Sequence, residues 1–199
     1  MIKNVIFDMG NVLLDFDPEV QLDASCSSEE AKNYVRKELF GGNEWIQRDL
    51  GNISLEELFQ GPAERMPEEY HKDLKRCIDI WQSFMIPFDG AKEFLQKVKN
   101  KGYGVYILSN ASLDFYNYFP KHYNLGFFDG YVVSADVHII KPDERIYRFL
   151  LDKYGLKAEE CLFVDDREDN VQGAEKVGIK GFVFKGNYDD VGKILGITE

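Results

Sequence analysis

The sequence is poor in cysteine and has no cysteine arrangement typical of a structural role. Its three cysteines, Cys26, Cys77 and Cys161, are odd in number and far apart. That spacing argues against a disulfide framework and against pairs of zinc ligands, so we predict reduced thiols. Long apolar runs are also absent, and no stretch approaches the about 20 residues of a transmembrane helix. Asp8 interrupts the N-terminal apolar run, so no leader segment is predicted and we expect a cytoplasmic protein.

Basic residues are scarce relative to acidic ones. The chain has 24 Lys and Arg against 35 Asp and Glu, a formal net charge of −11. Nucleic acids and anionic membranes require a basic face, so neither is expected as a partner. An anionic substrate stays compatible with this charge if a metal ion or a local positive charge meets it.

The composition is otherwise that of a folded protein. Of the 199 residues, 44% are hydrophobic and 14% are aromatic, which argues against disorder. This length suits one domain with an inserted subdomain.

The chain divides into a helical block and an alternating block. After an apolar run at residues 2–7, which predicts a buried parallel strand, residues 18–81 have helical patterns interrupted at 26–28, 41–43, 51–52 and 61–62. From residue 87 onward, helices are predicted at 90–101, 113–119, 144–154 and 168–177, the second of them ending at Pro120. They alternate with strands predicted at 103–108, 131–134, 161–164 and 180–184. Alternation of this kind predicts an α/β fold with a doubly wound parallel sheet. We predict a core of residues 1–15 and 88–199 and an inserted helical cap of residues 16–87.

Polar residues follow the predicted strands and could form one site. Asp8 ends the first strand, Ser109 follows the second, Lys141 follows a later one, and Asp165 and Asp166 end another. In open α/β sheets, ligands bind at the carboxyl ends of the strands. Each residue alone could be an ordinary turn or cap residue. The adjacent carboxylates are harder to explain that way, because they repel each other unless a cation or a lysine faces them.

The residue types together favour phosphoryl transfer to aspartate. A nucleophilic carboxylate, a hydroxyl, a lysine and an acidic pair are the groups that this reaction uses. Hard oxygen ligands favour Mg²⁺ as the cofactor.

Four ordered motifs resemble those of the haloacid dehalogenase-like hydrolase superfamily over essentially the full chain. They are the sequences FDMGNVL from Phe7, LSN ending at Asn110, KPD from Lys141, and FVDD ending at Asp166. The resemblance implies a Rossmann-like core, with the helical insertion placed like the family's first type of cap. The most similar branch contains bacterial sugar-phosphate phosphatases such as α-D-glucose-1-phosphate phosphatase.

The resemblance also implies roles for individual residues. Asp8 would attack phosphorus and form an aspartyl phosphate, with Lys141 neutralising charge beside it. Ser109 and Asn110 would hold the phosphoryl oxygens. We therefore expect a Mg²⁺-dependent phosphatase whose partner is a small phosphorylated metabolite.

A metal site is implied by the same motifs. Asp166 would ligate Mg²⁺ with Asp165 beside it, and Asp8 would add a carboxylate oxygen and Gly10 its main-chain carbonyl. The lysine and the metal are physically required, because a phosphate dianion will not approach bare carboxylates.

Gly10 departs from the family pattern. The family's phosphatases usually carry an aspartate at that position as general acid and base, a function worth roughly 10²–10⁴-fold. Asp15 and Asp17 are nearby in sequence and could substitute, or could simply cap the first cap helix. Gly10 therefore keeps open a rival reading, a binding or regulatory protein on an inactive scaffold.

Two further alternatives concern the cap and the reaction. Arg48, with Trp45 and the Gly51-Asn52 loop, lies where a cap could touch substrate, so Arg48 is a candidate substrate-binding residue; otherwise it lies on a solvated face. Carbon–halogen hydrolysis is the second rival reaction. It needs no metal, and it would leave the acidic pair unexplained.

Overall fold

A computed structural model describes residues 1–197. Within them, five strands form one parallel sheet in the order β3-β2-β1-β4-β5. The strands are β1 (Asn4–Phe7), β2 (Gly104–Ser109), β3 (Gly130–Val133), β4 (Cys161–Asp165) and β5 (Lys180–Val183). The predicted α/β fold with a doubly wound parallel sheet is confirmed.

The central strand β1 sets the geometry of the site edge. Phe7 is in register with Ile107 of β2 on one side and with Val164 of β4 on the other. Parallel strands in this register end at the same edge, so Asp8 lies between the ends of β2 and β4. The backbone N–H of Asp8 continues the ladder by donating to the Val164 carbonyl at 2.8 Å.

Helices cover both faces of the sheet and form a core on each. They are α6 (Ala91–Asn100), α7 (Phe115–Tyr118), α8 (Ser134–Val137), α9 (Glu144–Tyr154), α10 (Glu168–Lys176) and α11 (Tyr188–Leu195). Apolar residues of α6 and α11 pack on one face, and those of α9 and α10 on the other. The prediction for α9 was correct at both ends, and Gly155 ends it in the left-handed region with φ 62°.

Helices α1 to α5 form a separate packed group between β1 and α6. They are α1 (Pro18–Ser25), α2 (Glu29–Val35), α3 (Asn43–Asp49), α4 (Leu55–Ala63) and α5 (His71–Ile80), and their buried side chains form a hydrophobic cluster of their own. The two chain connections run side by side, with Asp15 N donating to Ile86 O at 2.8 Å and Phe88 N to Leu13 O at 2.9 Å. The division at residues 16 and 87 stays a prediction, and these five helices are called the cap below.

Two local predictions differ from the structure, and one helix was not predicted. The break at residues 61–62 was wrong, because α4 continues to Ala63; Pro62 lies in its last turn, where the missing N–H removes a single helical hydrogen bond. Pro120 does not end structure either, since it lies inside a 3₁₀ turn over Phe119–Lys121. Helix α11 was not predicted from the sequence.

The cysteines and the lengths of the helices can be compared with what the composition indicated. Cys26, Cys77 and Cys161 are free, and the last two are buried. No helix within residues 1–197 has both the length and the hydropathy needed to cross a membrane.

Candidate active site

Four charged residues meet at the carboxyl edge of the sheet. The Lys141 ammonium lies 2.8 Å from Asp8 Oδ1 and 2.7 Å from Asp165 Oδ2. Carboxylate oxygens of Asp8, Asp165 and Asp166 all lie within 4.8 Å of one another. Lys141 does not directly follow β3 but lies beyond the short helix α8. The fold therefore brings together the lysine and the three carboxylates that the sequence singled out.

Lys141 compensates the buried negative charge. Its side chain is 1% exposed and also donates to the Leu108 carbonyl at 2.9 Å. Burial lowers the pKa of Lys141, but the attraction of Asp165 and Asp8 outweighs this and the net shift is upward, so the ammonium stays charged. Burial raises the pKa of Asp8 to about 7, against the opposing attraction of Lys141.

Asn110 positions the lysine rather than pointing freely into the site. Its side-chain amide accepts from Lys141 N at 2.8 Å and donates to Lys141 O at 3.0 Å. Two hydrogen bonds to one residue's backbone fix the start of the lysine side chain. The role of Asn110 in holding a phosphoryl oxygen stays a prediction.

Ser109 has an unused hydroxyl at the end of β2. Its Oγ is buried and has no hydrogen-bond partner within residues 1–197. A buried hydroxyl without a partner is costly, so an anion that accepts from it would satisfy it. This agrees with its predicted role.

The two carboxylates of the acidic pair have different surroundings. Asp165 is fully buried, and besides Lys141 it accepts from Arg167 N at 2.9 Å and from Asn170 Nδ2 at 3.0 and 3.1 Å. Asp166 is partly exposed and accepts one bond, from Asn11 Nδ2 at 3.1 Å. Asp165 therefore orients the lysine, while Asp166 has free lone pairs for a ligand.

The donor set fits a hard divalent cation. Asp166 and Asp8 offer carboxylate oxygens at the same cavity, and Gly10 also lines it. Oxygen ligands without histidine or cysteine favour Mg²⁺ over softer metals. The residues that would hold it are Asp8, Asp166 and the Gly10 carbonyl, with Asp165 behind them.

Gly10 leaves an open space where a side chain could be. Apart from its two chain neighbours, no atom of the described chain lies within 4 Å of a Cβ built on it, whereas its neighbour Asn11 has the positive φ of 53°. The side chains of Asp15 and Asp17 do not fill that space. Asp17 caps α1 by accepting from Glu19 N at 2.8 Å, and both aspartates line a different, smaller pocket. The substitute role for Asp15 or Asp17 is therefore wrong.

The cap closes the site into a cavity of about 690 Å³. Its sheet side is polar. The remaining side is an aromatic wall formed by Phe16, Phe40, Trp45 and Trp81 of the segment between β1 and α6 and by Tyr118 of the core helix α7. The rings pack in a chain, with centroids 5.0 Å apart for Phe40 and Trp45 and 5.5 Å for Trp45 and Trp81. Trp45 thus lines the cavity and also packs in the cap.

Arg48 lies outside the lining of the cavity. Its guanidinium donates to Asp114 Oδ2 at 2.9 Å and to the Ile53 carbonyl at 2.9 Å, and its side chain is 16% exposed. It is therefore not on a solvated face, and it joins the cap to the core. The predicted contact of Arg48 with substrate finds no support in this arrangement.

Sequence reasoning missed two charged residues that line the cavity, Arg167 and Asp49. Arg167 pairs with Asp169 at 2.7 Å. Asp49, the last residue of α3, lines the cavity together with Asp8. The sequence contained an indication of Asp49, because a carboxylate at a helix C-terminus interacts unfavourably with the helix dipole and therefore does not stabilise the helix.

Comparisons with known proteins agree with this geometry. The family described as haloacid dehalogenase-like hydrolase matches residues 2–178. Sesquiterpene phosphatase astK of Aspergillus oryzae is 29% identical over 182 residues, covering 90% of this chain and 88% of the relative. (S)-2-haloacid dehalogenase 4A of Burkholderia cepacia is 36% identical over 194 residues, covering 89% and 80%.

A solved structure supports the fold. It is a haloacid dehalogenase family enzyme from Bacteroides thetaiotaomicron in complex with magnesium and inorganic phosphate, with a TM-score of 0.71 and 23% identity, covering 96% of this chain and 99% of the other. The family match over residues 2–178 and the 36% identical relative show family membership as well as the fold. The chain belongs to the haloacid dehalogenase-like hydrolases and is a hydrolase.

Proposed function

We propose that the protein is a Mg²⁺-dependent phosphatase that forms an aspartyl phosphate on Asp8. The observation that carries this is the Lys141 ammonium placed between Asp8 and Asp165, beside a cluster of three carboxylates. A phosphate dianion needs this combination of nucleophile, cation and metal ligands, because bare carboxylates repel it. The phosphatase relative is consistent with the proposal.

Each residue of the site has its own role in the proposed reaction. Asp8 attacks phosphorus through a carboxylate oxygen, and Lys141 offsets the charge that builds on the nucleophile and the phosphoryl group. Ser109 Oγ, which lacks a partner among residues 1–197, donates to a phosphoryl oxygen. Mg²⁺, when bound, neutralises phosphate charge and orients it. Water then cleaves the aspartyl phosphate and frees Asp8.

The cavity supports a small ester with an apolar face. Its volume of about 690 Å³ suits a metabolite. The aromatic wall carries no basic residue, so it can pack against a hydrocarbon or the apolar face of a sugar but not against a second phosphate. A sugar phosphate stays a predicted substrate, together with phosphates of hydrophobic alcohols.

A second candidate reaction is carbon–halogen hydrolysis by the same nucleophile. The 36% identity to a haloacid dehalogenase favours it. So does Gly10, because a halide leaves without a proton and needs no acid at that position. This reaction leaves Asp166 and its free lone pairs without a role.

One experiment separates these functions. Purified protein is assayed for phosphate release from a panel of sugar phosphates, phosphoglycolate, isoprenyl phosphates and aryl phosphate, and for halide release from 2-haloacids, with Mg²⁺ or with chelator. We expect phosphate release that falls by more than about 10³-fold in Asp8→Asn and is lost with chelator. Asp79→Asn, an exposed carboxylate paired only with Lys75, is the matched control.

Other outcomes would change the assignment. Halide release that survives chelator would favour the dehalogenase. Tight binding of a phosphate ester without turnover would favour the inactive scaffold. Phosphate release by Asp8→Asn at the wild-type rate would overturn the covalent mechanism.

A further inference from the structure

A phosphatase of this kind must supply a proton to the alcohol that leaves. Gly10 has no side chain to supply it, and Asp15 and Asp17 lie elsewhere. Among the residues described, the carboxylates that line the cavity are those of Asp8, Asp166 and Asp49. Asp8 is the proposed nucleophile and Asp166 a proposed metal ligand, so Asp49 is the one of these three carboxyl groups that has no assigned role.

The backbone of Asp49 is fixed against the core. Its carbonyl accepts from Ser134 Oγ at 2.6 Å, and the next carbonyl, that of Leu50, accepts from His138 Nδ1 at 2.8 Å. Gly51 follows with φ 70°, so close to the core that a Cβ there would meet the Ala135 carbonyl at 2.6 Å. The end of α3 is therefore held against the core, at a position from which a cap residue can reach a substrate bound at the sheet edge.

The carboxyl group of Asp49 is not engaged in holding the structure. Within residues 1–197 no hydrogen bond or ion pair reaches it, although its neighbour Arg48 is bonded to Asp114 and Ile53. A carboxylate kept at a helix C-terminus, without a structural partner and facing a reactive cavity, is unfavourable for stability. Such a cost is typical of a functional group.

The electrostatic surroundings favour its protonated form. Burial raises the pKa of Asp49 to about 7, although Arg48 and Lys141 oppose this. The other ionisable groups that face it are Tyr118 and, across the cavity, Asp8. Burial and the nearby carboxylates raise the pKa of Tyr118. An acid with a pKa near the working pH is the best compromise between being protonated and donating the proton.

We propose that Asp49 donates the proton to the leaving alcohol, replacing from the cap the side chain that Gly10 lacks; this rests on the phosphatase function proposed above. As Asp8 bonds to phosphorus, the bond from phosphorus to the alcohol oxygen breaks, and that oxygen keeps the electron pair. It takes the proton of Asp49, which becomes a carboxylate. In the second step water attacks phosphorus and gives a proton to the Asp49 carboxylate. The bond between phosphorus and the Asp8 oxygen breaks, and phosphate and the Asp8 carboxylate are released.

The first test compares two leaving groups. Asp49→Asn should lower kcat/KM for a primary-alcohol phosphate such as ribitol 5-phosphate by about 10²–10⁴-fold. For 4-nitrophenyl phosphate, whose leaving group departs without a proton, kcat/KM should change only a few-fold. This parameter reports the step that forms the aspartyl phosphate, so it isolates alcohol departure. Asp49→Glu, which keeps a carboxyl, should retain more of the alkyl activity than Asp49→Asn.

The second test restores an acid at the position of Gly10. The space beside Gly10 is open, so Gly10→Asp in the Asp49→Asn background should raise the ratio of alkyl to aryl kcat/KM back toward the wild-type ratio. A purely structural role of Asp49 does not predict this rescue. Asp79→Asn serves again as the control substitution in the cap.

The third test uses pH. Because the acid must be protonated, wild-type kcat/KM for the alkyl phosphate should fall as pH rises above about 7, and Asp49→Asn should lack that limb. Stability gives a readout independent of activity. Between the unfolded pKa, about 3.9, and the folded one the native state binds more protons, so wild-type stability falls with rising pH. Asp49→Asn should show a smaller fall, because Asp8, whose pKa burial also raises to about 7, still contributes to it. The melting curves also show whether the variant folds.

The outcomes are distinct. Loss of alkyl activity with aryl activity retained supports the proposal. Equal losses for both esters, or no loss for either, overturn it while leaving the phosphatase function in place. A wild-type protein that hydrolyses neither ester overturns the phosphatase function itself, and the role of Asp49 with it.

Discussion

At the scale of single residues, the site depends on the charge of Lys141. Its ammonium is almost fully buried and contacts two carboxylates, Asp8 and Asp165, that would otherwise face each other without compensation. Asn110 fixes its backbone, and Asn170 and the Arg167 N–H complete the shell of Asp165. One lysine therefore serves both stability and chemistry.

Replacing that lysine should be costly for folding. Lys141→Met should lower the free energy of unfolding by about 3–5 kcal/mol, because it leaves buried carboxylates unpaired, and it should abolish turnover. Urea denaturation without metal measures the first effect. Lys101→Met, at an exposed position, should change stability by less than about 0.5 kcal/mol. A Lys141 variant as stable as this control would show that the two carboxylates do not need the ammonium.

At the scale of elements, the end of α3 is the joint between cap and core. Arg48 reaches Asp114 of the core, and the carbonyls of Asp49 and Leu50 are bonded by Ser134 and His138. The same joint places a cap carboxylate over the sheet edge. The strength of this joint therefore bears on the position of Asp49 as well as on closure of the cavity.

The contribution of Arg48 can be measured without substrate. A double-mutant cycle of Arg48→Met and Asp114→Asn should give a coupling free energy of about 1–3 kcal/mol, since this charged hydrogen bond is largely buried. The exposed pair Lys75 and Asp79 should give less than about 0.5 kcal/mol. Coupling near zero for Arg48 and Asp114 would leave the arginine free for another task, including contact with substrate.

At the scale of the whole molecule, net charge opposes the proposed substrate. The chain carries −11 at neutral pH, and a phosphate ester dianion is repelled until it meets Lys141 and the metal. Among the described residues, the basic ones that line the cavity are Lys141 and Arg167, so attraction for the substrate acts at short range against a net negative charge. This arrangement is the reverse of one that steers anions from a distance.

Salt should consequently favour the reaction. Raising ionic strength from about 0.01 M to about 0.15 M shortens the Debye length from about 30 Å to about 8 Å and screens the repulsion. With saturating Mg²⁺, kcat/KM for a phosphate ester should rise a few-fold over this range. Potassium and choline chloride should act alike. A fall in kcat/KM with salt would mean that local attraction at the cavity mouth outweighs the net charge.

Much of the core could be predicted from the sequence alone. The alternation of apolar runs and amphipathic helices is local, and it predicted all five strands and the parallel sheet. Asp8, Asp165 and Asp166 could be placed because each lies at or directly after the end of a strand, and parallel strands end at one edge. Helix α11 was missed, and the turn chemistry of Pro62 and Pro120 misled, because the preference of proline for an element's end yields to tertiary packing.

The cap side of the site was decided by the tertiary structure. Whether Arg48 faces substrate or Asp114 depends on how the cap docks on the core, and that docking joins residues far apart in the chain. The same docking brings Asp49 into the cavity that contains Asp8 and leaves Asp17 as a helix cap. Periodicity reports which face of a helix is apolar, but it carries no information about which polar residue that helix presents to a distant site. The sequence therefore determined the sheet edge and its carboxylates, and only the three-dimensional packing determined which groups face them.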